Sequence, residues 1–250
     1  MPDALAQAFS TPGLAWVALA ALVAGTVRGF AGFGTAMVFL PVAGQVLSPL
    51  AALVALVVMD AAGPVPNLPR AWRDGQPADI ARLMLGMTLA LPFGLMLLAL
   101  LDPTQFRIIV SVIALTLVTC LVLGLRYRGR LRPPMVYGIG GVSGILGGVA
   151  GIPGPPVILF YMASPLPAAA IRANTMMFLF LFDLVFLSML GVRGSLNLDM
   201  VLLGVTLMAP VVLGNVVGAA IFRPERERAY RIAAYVIITA SALSGLPFWH

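Results

Sequence analysis

The chain has very little of the chemistry from which most enzymes are built. Its 250 residues include one cysteine, one histidine and no lysine, and only 10% of them are charged. The single cysteine, Cys120, cannot form an intrachain disulfide. One cysteine and one histidine, His250, with no cluster of acids, leave no ligand set for a metal ion. We therefore expect no metal and no cofactor.

The same scarcity disfavours two classes of catalytic site. A nucleotide-binding loop of the GxxxxGK[ST] kind requires a lysine, which the chain lacks. The stretch Gly141–Gly144 matches the GxSG motif of rhomboid-type intramembrane serine proteases, but such a serine needs an imidazole base from another helix. His250 is the only imidazole. An intramembrane serine protease is thus a disfavoured alternative, and we expect no enzyme activity.

Apolar sequence is what the chain has in abundance. Hydrophobic residues make up 61% of it, and the mean hydropathy is +1.04. Long apolar runs ended by charge, proline or glycine are typical of a polytopic helical membrane protein. The net charge of +6 comes from arginines in the short segments between these runs. That pattern indicates orientation in a lipid bilayer rather than binding to nucleic acid.

An internal repeat runs through two glycine-rich breaks in the apolar runs. Without gaps, Val23–Leu40 overlays Val142–Leu159 with seven identical pairs, three of which are glycines. A helix interrupted at the same place in both halves of a membrane protein indicates the substrate site of a transporter. The predicted organisation is a first transmembrane repeat at 1–125, a basic linker at 126–134 and a second transmembrane repeat at 135–250.

Segment length and arginine positions predict the topology. The apolar segments beside the first break, Leu14–Val27 and Thr35–Leu47, are short for a bilayer core of roughly 30 Å. We interpret each half as a re-entrant helical hairpin followed by about three transmembrane helices. Twelve arginines then fall on one side and two on the other, which the positive-inside rule favours. This arrangement makes the halves inverted repeats and places both termini in the periplasm.

The two breaks predict a site for a small anion near the membrane midplane. Glycine lets the chain turn sharply, and the helix that starts after each break directs free N–H groups and a positive dipole end at the ligand. Arg28 adds a full positive charge, and Asn174 and Asn215 are polar positions on helices. The predicted substrate-binding residues are Arg28, Gly29, Gly32, Phe33, Gly34, Thr35, Gly148, Gly151, Pro153, Gly154, Asn174 and Asn215.

Two acids inside apolar segments are candidates for proton coupling. Asp183 has leucine and phenylalanine on both sides, and a carboxylate in such a segment is usually functional or paired. It could carry a proton or serve as a structural partner for Arg28. Asp60 lies nearer the end of its segment, where a solvated or capping role is the alternative to proton coupling.

Both breaks resemble the signatures of a known family. Gly29–Gly34 followed by Pro41, together with Gly151–Leu159, resemble the paired signatures of the TauE/SafE sulfite-exporter family. The resemblance implies a small secondary transporter of the bacterial inner membrane that moves sulfite, sulfonates or related organic anions. Pro153 departs from the family pattern, in which glycine is more frequent at that position.

The sequence therefore predicts a secondary transporter of small organosulfur or organic anions, with proton coupling as an open question. Its expected partners are the anion and the lipid bilayer, and a homodimer is left open. Two alternatives remain, a passive anion channel and a non-transporting membrane scaffold. The absence of a titratable partner would distinguish the channel, whereas a scaffold would not need Arg28 within a glycine-rich break.

The arginine distribution makes the topology testable by cysteine labelling from outside the cell. In a Cys120→Ala background, we expect a cysteine at position 250 to react with an impermeant maleimide and one at position 129 to be protected. The reverse pattern would contradict the inverted arrangement.

Overall fold

The computed structural model describes residues 13–61, 63–65, 68–124, 132–161 and 166–247. These described residues form eleven α-helices and one short 3-10 turn, Pro224–Arg226, with no strand. Most of the predicted linker at 126–134 lies outside them. In chain order the helices are α1 (Leu14–Ala31), α2 (Thr35–Ala43), α3 (Pro49–Ala61), α4 (Leu68–Asp74), α5 (Pro77–Leu100), α6 (Pro103–Val122), α7 (Pro133–Ala150), α8 (Gly154–Tyr161), α9 (Ala168–Val192), α10 (Leu198–Ile221) and α11 (Glu227–Gly245).

Five of the described helices, α1, α5, α6, α9 and α10, are long and apolar enough to cross a membrane. The predicted all-α membrane fold is thus confirmed. The predicted end of the first segment at Val27 was wrong, because α1 continues to Ala31 and reaches 18 residues, or about 27 Å. The second segment is shorter than predicted, because α2 ends at Ala43 rather than Leu47 and has 9 residues; α8, its counterpart in the second repeat, has 8. α3, which follows the first hairpin, has only 13 residues.

The sequence repeat is also a repeat of helix and break. The overlay that pairs Val23 with Val142 also pairs the first and last residues of α1 with those of α7. Both helices end at a glycine in the left-handed region, Gly32 with φ 79° and Gly151 with φ 64°. A short helix begins three residues later in each case. The element helix–break–short helix therefore occurs twice, and its inverted orientation stays a prediction.

The chain forms two compact units, and neither is a contiguous half of the sequence. Unit 1 comprises Met1–Asp60, Leu101–Cys120 and Leu196–His250, and unit 2 comprises Ala61–Leu100 and Leu121–Ser195. Unit 1 therefore joins the hairpin of the first repeat, α1 and α2, to α10 and α11 from the second. Unit 2 joins α7, α8 and α9 of the second repeat to α4 and α5 of the first.

In unit 1, glycines bring the backbones of α1 and α10 into direct contact. A Cβ atom on Gly25 would lie 2.1 Å from the carbonyl oxygen of Val211, and one on Gly218 would lie 2.2 Å from that of Thr26. Both distances are too short for real atoms, so no other residue fits without separating the helices. Close approach through small residues is a common way to hold helices together in lipid, where apolar burial provides no drive.

The same device holds α5 and α7 together in unit 2. A Cβ atom on Gly140 would lie 2.2 Å from the carbonyl oxygen of Leu83, and one on Gly94 would lie 2.6 Å from that of Ile145. The first arm of each hairpin is thus packed, backbone against backbone, on a long helix of the other repeat.

Two glycines on α7 give a matched test of this packing. We expect Gly140→Ala to lower the stability by about 1–3 kcal/mol, because the added methyl group has no room. Gly138→Ala should be neutral or stabilising, because no atom lies within 4 Å of its Cβ position and alanine favours helix. Thermal unfolding in detergent measures both variants, and equal Tm values would contradict glycine-mediated packing.

Candidate functional site: two helix breaks and an ion pair

The first break lies in unit 1 between α1 and α2. The N–H of Gly32 donates to the carbonyl oxygen of Arg28 at 2.7 Å and so ends α1. Gly34, with φ 104°, turns the chain again before α2 begins at Thr35. These two left-handed positions require glycine, because side chains clash in that region. Gly32 has nothing within 4 Å of its Cβ position, so its backbone angle, not lack of space, is the constraint.

Arg28 forms an ion pair with Asp60 in the same unit. Its Nη1 lies 2.7 Å from Oδ2 of Asp60, and the two side chains are 26% and 23% exposed. Arg28 belongs to the last turn of α1, where a positive charge is favoured by the helix dipole. Asp60 belongs to the last turn of α3. The sequence suggested Asp183, which belongs to unit 2, as a structural partner for Arg28, whereas the structure pairs Arg28 with Asp60. The sequence does not indicate this pairing, because the two residues are far apart in the chain.

The remaining predicted residues of unit 1 make packing contacts with different helices or are buried. Gly29 packs on α10, where a Cβ atom would lie 2.3 Å from the carbonyl oxygen of Asn215. The ring of Phe33 lies 6.4 Å from that of Tyr235 on α11. Thr35 is buried at the start of α2. Gly29 thus has a packing contact with α10, and its contact with substrate stays a prediction.

The second break lies in unit 2 between α7 and α8. The N–H of Gly151 donates to the carbonyl oxygen of Gly147 at 3.0 Å and ends α7. In the overlay of the repeats, Pro153 occupies the position of Gly34, so this break has one left-handed glycine instead of two. α8 starts Gly154-Pro155-Pro156, and its prolines have no N–H to donate. The second break is therefore a poorer anion donor than the first.

The polar residues predicted on α9 also belong to unit 2. Asn174 is fully buried, and its Oδ1 accepts the N–H of Gln76 at 2.7 Å. This bond ties the turn between α4 and α5 to α9. Gly148 packs on Gly94, since a Cβ atom there would lie 2.8 Å from the Gly94 Cα. Asp183 lies two to three turns after Asn174 on α9 and is partly buried.

Sequence reasoning missed a second charged group, at the start of α5. Asp79 and Arg82 form an ion pair at 2.7 Å across one helical turn. The buried hydroxyl of Tyr161, at the end of α8, interacts with the Asp79 carboxylate. The i,i+3 spacing of Asp79 and Arg82 on a helix indicates their ion pair, whereas nothing in the local sequence predicts the approach of Tyr161.

The predicted residues therefore fall into two groups, one in each unit. No group of three or more His, Cys, Asp or Glu residues suited to a metal ion occurs in the described part of the chain. The meeting of the two breaks at the midplane stays a prediction. Unit 1 holds Arg28, Gly29, Gly32, Phe33, Gly34, Thr35, Asp60 and Asn215, and unit 2 holds Gly148, Gly151, Pro153, Gly154, Asn174 and Asp183.

A family model described as sulfite exporter TauE/SafE matches residues 17–245, nearly the whole chain. The resemblance carried by the two breaks is thereby confirmed. Comparison with curated proteins gave no match, and comparison with solved structures gave none either.

The ion pair can be tested by a double-mutant cycle. We expect Arg28→Gln and Asp60→Asn each to destabilise the protein by about 1–3 kcal/mol, because each leaves a largely buried charge without its partner. The double variant should lose less than the sum, since neither charge then remains. Chemical or thermal unfolding in detergent measures the cycle, and strictly additive effects would contradict the pairing.

Proposed function

We propose that this chain, which belongs to the sulfite exporter TauE/SafE family, carries a small organosulfur anion together with a proton, both bound at Arg28 and Asp60. Family membership makes the chain a multi-pass membrane transporter of a small anion and not an enzyme. The identity of the anion, the coupling ion and the residues in these roles are our proposal.

The ion pair beside the first break is the observation that supports this proposal most. The Oδ2 atom of Asp60 lies 2.7 Å from Nη1 of the Arg28 guanidinium group, and both side chains are about a quarter exposed. A sulfonate or sulfite oxygen is an acceptor of the same charge and geometry as a carboxylate oxygen, and guanidinium binds such groups well. The anion is thus a direct competitor of Asp60 for Arg28.

Competition for one cation couples the anion to a proton. When Asp60 is charged, an anion at Arg28 must approach a neighbouring carboxylate, and like charges at short distance repel. When Asp60 is protonated, Arg28 is free to bind the anion without that repulsion. Binding of one anion and one proton leaves the total charge of the site unchanged, which a weakly solvated site at membrane depth requires.

The first break supplies further donors for the anion. The first N–H groups of a helix have no partner within it, and together with the dipole they favour a negative ligand. α2 starts at Thr35, so its first N–H groups come directly after Gly32, Phe33 and Gly34 in the chain. We propose that these four residues face the anion and that Gly29 and Asn215 position α1 for it.

We propose that the second break shapes the site for the anion. Gly148 and Gly151 end and position α7, and Pro153 and Gly154 lead into α8. With fewer N–H groups available, this break contributes shape more than charge. Asn174 holds the turn before α5, so its proposed effect on the substrate acts through that turn.

The pH dependence of anion binding tests the shared site. Sulfonates stay ionised over the working range, so only the protein titrates. We expect the affinity of the purified protein for a small sulfonate to rise as pH falls, by up to about tenfold per pH unit for one coupled proton. In Asp60→Asn, affinity should be high and independent of pH. Calorimetry or thermal shift measures both proteins.

Two controls make the result decisive. The variant Arg28→Gln/Asp60→Asn leaves neither charge unpaired and lacks the cation, and we expect it to fold and to bind no sulfonate at any pH. Asp183→Asn should keep the pH dependence of the wild type. If Asp183→Asn abolishes the dependence and Asp60→Asn preserves it, the proton carrier is Asp183, and the role proposed for Asp60 is wrong.

A further inference from the structure

The corner between α10 and α11 in unit 1, at the end of a spanning helix, is held by a hydrogen bond and two ring contacts of Tyr230. α10 ends at Ile221, and a short 3-10 turn leads into α11. The Tyr230 hydroxyl donates to the carbonyl oxygen of Ile221, one of the carbonyls that a helix end leaves without a partner. The Tyr230 ring packs on Phe222 at 5.4 Å and on Phe30 of α1 at 5.5 Å.

Arginines concentrate at this corner. The segment Phe222–Arg231 contains four arginines and two glutamates, which gives a formal net charge of +2 within ten residues. Arg223, Arg226 and Arg228 are exposed. We call these three residues, with the turn that carries them, the basic corner.

Apolar surface leads directly to the basic corner from both helices. On α10, Val217 and Ile221 are 45% and 47% exposed, and on α11 Ile232 and Val236 are 53% and 61% exposed. α10 is one of the helices able to cross the membrane. Its exposed apolar residues are where acyl chains would lie, and Arg223, Arg226 and Arg228 follow the last of them, Ile221, after two, five and seven residues.

We propose that the basic corner binds the phosphate headgroup of an anionic phospholipid whose acyl chains lie along α10. Guanidinium groups pair with phosphate through two parallel N–H···O bonds. Arginine clusters at the end of a membrane span are where anionic lipids are attracted. The tyrosine hydrogen bond and the ring contacts add positioning, because contacts that are present before the lipid binds lower the cost of ordering the corner.

The equivalent corner of the first repeat lacks these features. α5 ends at Leu100 and α6 begins at Pro103, so this corner is also an abrupt turn after an apolar helix. Leu97 and Leu100 are exposed at 48% and 79%, yet the turn carries an acid, Asp102. Exposed apolar surface is thus present at both corners, but the first has one acid, Asp102, and one arginine, Arg107, with no net charge, whereas the basic corner has the net positive charge that complements a phosphate.

Lipid titration tests the proposal on the purified full-length chain in detergent. We expect short-chain phosphatidylglycerol to raise the Tm and short-chain phosphatidylcholine to leave it nearly unchanged. Arg226→Gln/Arg228→Gln should bind phosphatidylglycerol roughly tenfold more weakly, whereas Arg193→Gln, which removes an exposed arginine of unit 2, should bind it normally. Tyr230→Phe should weaken binding with all charges retained.

Three results would overturn the proposal. The first is unchanged phosphatidylglycerol binding in a folded double arginine variant. The second is an equal Tm rise with inorganic phosphate, which would assign the corner to a free anion. The third applies if the double variant does not fold: the wild-type preference for phosphatidylglycerol over phosphatidylcholine must weaken as salt is added, and a salt-independent preference would refute a headgroup contact.

Discussion

Contact between helix backbones at glycine is the constraint on which the rest of the structure depends. In a bilayer, apolar side chains gain nothing by leaving lipid for protein, so helices associate through close packing. Gly25 and Gly218 provide it in unit 1, and Gly94 and Gly140 provide it in unit 2. Each contact fixes the first arm of a hairpin against a long helix of the other repeat. The position of each break follows from where that arm is held.

The ion pair depends on this placement. Because α1 is fixed along α10, Arg28 in the last turn of α1 lies within ion-pair distance of Asp60 at the end of α3. A charge in an apolar segment is costly unless it is paired, and here the pair stands immediately before the point where the helix stops. The paired carboxylate and guanidinium therefore belong to the same unit as the first break and the helix that starts after it. That grouping is what a site for an anion and a proton needs.

Much of this arrangement could be predicted from local sequence. Three glycines of the first break overlay glycines of the second, and Gly32 and Gly151 do end helices in the left-handed region. The true length of α1 could not be predicted, because a charged residue such as Arg28 normally indicates the end of an apolar segment. Its acidic partner, Asp60, is known only from the structure. Asp60 and Arg28 are brought together by tertiary packing, and the sequence around either residue does not indicate the other as its partner. The packing of Gly29 on α10 is hidden for the same reason.

The central claim is that one site couples the anion to the proton, and flux into proteoliposomes tests it most directly. A pH gradient, acidic outside, is imposed on vesicles containing a labelled sulfonate at equal concentration on both sides. The shared site predicts that wild-type protein concentrates the sulfonate inside and that Asp60→Asn exchanges it without concentrating it. If wild-type protein only lets the sulfonate equilibrate whatever the pH gradient, the chain is a passive channel and the coupled mechanism is wrong.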